Sequence, residues 1–116
     1  MNTLITLHDQ LLHRINSELD SLTLELITVL CHESDLLKPE LTQQERSKLI
    51  DLGKSSLHKT TRDMARRIER LDAAICADRI GMYGTCTDCE DTIALYDLEI
   101  DPAEPRCFEC RQKLSH

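Results

Sequence analysis

The chain has 116 residues, a formal net charge of −7, and only one Phe, two Tyr and no Trp. So few aromatics exclude a large globular core and leave helix pairing and metal as the sources of stability. The acidity makes duplex DNA or RNA, whose phosphates repel it, a poor partner and favours a basic protein surface.

Met1 to Gln10 hold one Asp and no Lys or Arg, with no legible signal peptide or membrane span. Six cysteines in such a chain point to a reducing, cytoplasmic setting. From about residue 3 to 34 there is no Gly or Pro, and apolar positions recur in two rows. Ile5, Leu12, Leu19 and Leu26 form one; His8, Ile15, Leu22 and Val29 form the other. This a/d pattern predicts a long helix with one buried stripe, roughly 45–50 Å in length. The period stops at His32, and Pro39 is unsuited to a helix interior. Thr42-Gln-Gln-Glu45 reads as a capping box that starts a second helix over about 43–79.

In that second helix Ile50, Leu57, Met64 and Leu71 make one row, and Lys54, Thr61, Ile68 and Ile75 the other. Gly53 marks a place where the helix bends or packs closely. Two long single-stripe helices joined by a short connection predict an antiparallel helical hairpin, a coiled coil over residues 1–79 with its tip at about 33–42. The short tip favours pairing within one chain, hence a monomer. Lys59, Arg62, Arg66 and Arg70 share one helical face and are candidates for a partner-facing basic surface. Asp63, Glu69 and Asp72 lie among them, so a salt-laced exposed face is the plainer reading.

Residues 80–116 carry the chemistry. Cys86-Thr-Asp-Cys89 and Cys107-Phe-Glu-Cys110 give the spacing C-x2-C-x17-C-x2-C. Each CxxC places two thiolates on one tight turn, and two such pairs supply the four corners of a tetrahedron. In a reducing setting this predicts one structural Zn(II) per chain, with iron on the same thiolates as the lesser alternative. Four thiolates and one Zn(II) sum to −2, which would take the holo chain to about −9. Ile93, Leu95, Leu98 and Ile100 have short-strand character, and Cys107 to Leu114 predict a short C-terminal helix. No βαβ pattern surrounds a CxxC, and a four-cysteine site keeps no open coordination position, so a redox or hydrolytic enzyme is not expected. Cys31 and Cys76 stand outside the motif as small apolar side chains. His8, His13, His58 and His116 show no ligand spacing with one another.

The run Gly81-Met-Tyr83-Gly84-Thr-Cys86-Thr-Asp-Cys89, with Ile93, Leu98 and Pro102 ahead of Cys107 and Cys110, resembles the zinc finger of the DksA/TraR proteins. The likeness extends through the expected hairpin over nearly the whole chain. It implies zinc on Cys86, Cys89, Cys107 and Cys110. It also implies a non-enzymatic regulator that binds RNA polymerase, inserts the hairpin into the secondary channel and alters initiation without sequence-specific DNA contact. The family's acidic tip pattern falls on His32 to Leu37, where Asp35 matches the second Asp and Leu37 replaces an Ala. Glu33, Asp35 and Leu37 are thus the expected tip residues. Glu90 stands where the family has a Gly that turns with positive φ. Guanosine tetraphosphate responsiveness in the family draws on a longer C-terminal helix. Only six residues follow Cys110, so no nucleotide site is assigned. A zinc-ribbon adaptor that joins other proteins without acting on polymerase is the alternative.

Overall fold

The computed structural model describes residues 6–33 and 38–114. Asp35 and Leu37 lie outside the described residues, as does Ile5. Among the described residues six helices follow in order: α1 (Leu7–Glu33), α2 (Lys38–Thr42), α3 (Arg46–Lys54), α4 (Lys59–Arg79), α5 (Leu95–Ile100) and α6 (Phe108–Leu114). Among the described residues there is no strand, only an isolated antiparallel bridge between Thr85 and Thr92. The protein is thus mostly helical, with a long helix pair and a four-cysteine cluster.

The chain folds as two compact units. Ser17–Glu69 makes one, here the aliphatic unit, and Met1–Asn16 with Arg70–His116 makes the other, the sulfur-bearing unit.

In the aliphatic unit, α1 and α4 run antiparallel. Arg67 of α4 forks onto Glu18 of α1 at 2.7 and 3.0 Å, while Glu33 at the end of α1 meets Ser56 and Thr61 just before and within the start of α4. Leu19, Leu26, Ile27, Leu30, Leu49, Ile50, Ala65 and Ile68 fill the space between the helices. The buried stripe of α1 runs Leu11, Ile15, Leu19, Leu26, Leu30. That follows the 3.6-residue period of a straight helix instead of the strict heptad rows, which leave His8 exposed and Leu12 half-buried.

The single helix expected over 43–79 is two helices. α3 stops at Lys54 and α4 begins at Lys59. Gly53 explains the place. A Cβ there would lie 2.6 Å from the Ala65 Cβ and 3.2 Å from Leu26 Cδ1, so α3 is pressed against both long helices at that point. Ser55 and Ser56 then satisfy the backbone groups that the break releases: Ser55 Oγ donates to Asp51 O at 3.0 Å, and the His58 N–H donates to Ser56 Oγ at 3.0 Å. Leu57, placed in the apolar row by its spacing, is 94% exposed in this turn.

The capping box is also not formed. Pro39 occupies the first turn of α2, where its missing N–H costs nothing. Thr42 is thereby drawn into α2, and Glu45 becomes the N-cap of α3 with no side-chain cap bond.

In the sulfur-bearing unit, the segment expected as strand is α5. Its Leu98 is buried, and Arg14 Nη1 donates to Glu99 O at 2.8 Å, covering a carbonyl of its last turn. The expected terminal helix is present as α6.

Candidate metal centre

The first cysteine pair is held by a tight fold of the chain. Cys86 N–H donates to Asp91 O and Ile93 N–H to Gly84 O, both at 2.8 Å, around the Thr85–Thr92 bridge. Glu90 N–H closes the turn onto Cys86 O at 3.0 Å. This requires φ of +66° at Glu90, as expected of the position after the second cysteine. Gly84 (φ +84°) enters the turn in the same left-handed region.

The second pair starts α6, with Arg111 N–H donating to Cys107 O at 3.0 Å. Two contacts join the limbs: Thr87 N–H to Pro105 O at 2.9 Å, and Arg106 Nε to Asp88 Oδ2 at 2.7 Å. Arg111 adds a pin, reaching Asp97 at 3.1 Å and Glu104 at 3.2 Å.

These constraints bring Sγ of Cys86, Cys89, Cys107 and Cys110 within 4.8 Å of one another, with Cys89 and Cys107 at 3.6 Å. A disulfide needs about 2.05 Å. A tetrahedron with metal–sulfur bonds of about 2.3 Å has edges of about 3.8 Å, so the spacing fits a metal site. None of the six cysteines is in a disulfide.

Cys86 is 1% exposed and Cys110 5% exposed, and both pack with Leu11, Ile93 and Leu98. Leu7 and Tyr83 lean on the same cluster, so the first turns of α1 wall the sulfur site. Tyr83 donates its hydroxyl to Pro102 O at 2.7 Å, and burial pushes its pKa up to about 12. His8 meets the Tyr83 ring edge-on and pairs with Asp78 at 2.9 Å.

The thiols are unequal. Burial pushes Cys86 up, but backbone N–H groups of Cys107, Cys89 and Asp88 outweigh it and bring the thiol down to about 6. Burial, with the neighbouring Cys107, Cys86 and Cys89 sulfurs, pushes Cys110 up to about 12. Four sulfurs so close cannot all ionise alone, whereas a divalent cation relieves that repulsion and holds all four as thiolates. Four sulfur donors leave no open position, so the group can hold a metal and brace the fold but cannot activate water.

The other sequence candidates are placed as follows. Cys86, Cys89, Cys107 and Cys110 are brought together. Lys59 pairs with Asp63 at 2.7 Å, and Arg66 reaches the same carboxylate at 3.6 Å. Arg62 donates to Ser56 O at 2.8 Å, and Arg70 approaches Asp101 at 3.9 Å. Lys59, Arg66 and Arg70 thus meet carboxylates, and Arg62 a backbone carbonyl. Glu33 binds the Ser56 and Thr61 hydroxyls, which hold its carboxyl below the ordinary value. Sequence reasoning missed Asp88, Arg106 and Arg111; Asp88 and Arg106 directly precede a cysteine of the cluster, but their pairing across the site carries no local signal.

No family model matches the chain, and no curated protein or solved structure matches it. Among the described residues, no helix is long and apolar enough to cross a membrane.

Proposed function

We propose that this protein is a zinc-containing, non-enzymatic regulator of transcription that binds RNA polymerase. Zn(II) on Cys86, Cys89, Cys107 and Cys110 braces a small finger, and α1 with the α3–α4 segment forms a hairpin that enters the secondary channel. The metal supplies charge neutralisation and a cross-link between the limbs. The protein's own residues do the rest: Asp91 and Gly84 shape the first turn, and Arg106 and Arg111 fix the second limb against it.

The observation that carries the reading is the convergence of the four sulfurs within 4.8 Å on the residues of the DksA/TraR-like motif. The φ of +66° at Glu90, where that family places Gly, supports the same alignment. The excess of acid over base in the sequence favours a basic partner surface over nucleic acid. Asp35, which matches the second Asp of that family's tip pattern, is the acid assigned to the tip effect.

The test combines three measurements: zinc per chain by elemental analysis, retention by polymerase core enzyme, and run-off transcription with and without guanosine tetraphosphate. One zinc per chain, retention and altered initiation are expected. Asp35→Asn should reduce the change in initiation at least several-fold while leaving polymerase binding nearly intact. Zinc without retention would replace this reading with that of an adaptor.

A further inference from the structure

The four sulfurs meet solvent unequally. Cys86 and Cys110 are walled by Leu11, Ile93 and Leu98, whereas Cys89 is exposed and Cys107 half-buried. The two outer sulfurs come from different CxxC pairs and lie 3.6 Å apart. One edge of the site therefore faces water, and that edge joins the two limbs. Asp88 immediately precedes Cys89 and Arg106 immediately precedes Cys107. Their side chains pair at 2.7 Å, with Arg106 32% and Asp88 42% exposed.

We propose that metal enters and leaves through the Cys89–Cys107 edge, and that Asp88 and Arg106 form a latch beside that edge which sets the exchange rate. The proposal rests on reading the four thiolates as a metal centre. Exchange needs an incoming donor atom to bond to the metal as a metal–Sγ bond breaks; the freed thiolate then takes a proton from water, and no oxidation state changes. The apolar wall keeps such a donor from Cys86 and Cys110, so Cys89 or Cys107 is released first. Parting these two sulfurs moves the turn 86–89 away from residues 105–107, and that movement must stretch the Asp88–Arg106 pair. The acceptor class is a small chelator or a soft, thiol-bearing donor able to reach a solvent-facing edge. Because both charges are partly hydrated, salt should loosen the latch.

The experiment follows transfer of zinc from the full-length holo protein to excess 4-(2-pyridylazo)resorcinol at low and high salt. Asp88→Asn and Arg106→Gln should each accelerate transfer roughly three- to fivefold, in keeping with a pair that water half covers. The double variant should be no faster than either single one, because they remove one interaction. Salt should accelerate the wild-type protein and not the variants, and the exchanged pair Asp88→Arg with Arg106→Asp should recover most of the wild-type rate. Circular dichroism and zinc content, unchanged in each holo variant, separate a latch from a folding defect. In parallel, iodoacetamide followed by peptide mass analysis should label Cys89 and Cys107 before Cys86 and Cys110, and sooner in the latch variants. Unchanged transfer rates, or labelling that begins at Cys86 or Cys110, would overturn the latch while leaving the metal centre standing. A wild-type protein that neither carries nor takes up stoichiometric metal would overturn both.

Discussion

In the aliphatic unit the side chains removed from water are Leu19, Leu26, Ile27, Leu30, Leu41, Leu49, Ile50, Ala65 and Ile68. In the sulfur-bearing unit they are Leu11, Ile15, Leu71, Ile93, Leu98 and Ala103, together with Cys86 and Cys110. The first can be stable by burial, at about 0.8 kcal/mol per buried methylene. The second buries fewer aliphatic side chains and must also hold several short turns, two prolines and two short helices in place. It is tied in addition by directed contacts, Arg106 to Asp88 and Arg111 to Asp97 and Glu104, and by whatever joins the sulfurs. A chain of this size can therefore carry two units that answer differently to the same perturbation.

Removing metal should expose that difference most. Structural zinc contributes about 10–16 kcal/mol to small finger peptides near neutral pH. With a strong chelator, or in Cys86→Ser, amide protection should vanish across the cysteine-bearing turns while that of Ser17–Glu69 survives. Hydrogen exchange resolved by peptide measures both at once. Equal loss in the two units would mean that the aliphatic core is not self-sufficient.

Gly53→Ala applies the reverse stress. Its Cβ would meet the Ala65 Cβ at 2.6 Å, a contact neither helix can relieve by rotating a side chain. A loss of about 1–3 kcal/mol is expected in the denaturant midpoint of the aliphatic unit. Removing the opposing methyl by Ala65→Gly in the same chain should recover part of it. Gly81→Ala is the matched control in the other unit. Nothing lies within 4 Å of its Cβ, so the cost of about 1 kcal/mol comes from φ of +75° alone and no partner change rescues it. Glu90→Gly moves the same unit the other way, relieving φ of +66° for a gain of about 1 kcal/mol.

How far the sequence foretold these units depends on the range of the signals. Cys86, Cys89, Cys107 and Cys110 were legible because each pair is one turn of chain, and α1 because nothing in it breaks a helix. The division of α3 from α4 was not, since Ile50, Leu57, Met64 and Leu71 keep an unbroken seven-residue row across it. Gly53 followed by Ser55 and Ser56 was the contrary signal, and it prevailed because α3 must lie close against Leu26 and Ala65. Leu11, Ile27 and Leu30 fell outside the rows because a straight helix drifts from a heptad. Ile93 and Ile100 suggested a strand by propensity, but burying Leu98 in the sulfur cluster decided for α5. The Asp88–Arg106 pair spans 18 residues and is visible only once the limbs meet.

The smallest expected effect probes pH. Ser56, at 2.6 Å, and Thr61 donate to the Glu33 carboxylate and hold its pKa below the ordinary 4.5. A carboxyl whose folded pKa is depressed stabilises the fold fully above the unfolded value, and that contribution is lost as pH falls through the folded value. The Ser17–Glu69 amides should therefore lose protection progressively below about pH 4.5, and Glu33→Gln should flatten that part of the curve by lowering protection at neutral pH toward the level the wild-type protein reaches in acid. Asp63, drawn down by its bond from Lys59, leaves a residual slope in the variant. A metal-loaded sulfur-bearing unit should lose protection in acid for a different reason, protons competing with metal for thiolate, and Glu33→Gln should leave that loss untouched. A variant that shifted both curves together would mean that Glu33 couples the two units, and the comparison drawn between them would no longer hold.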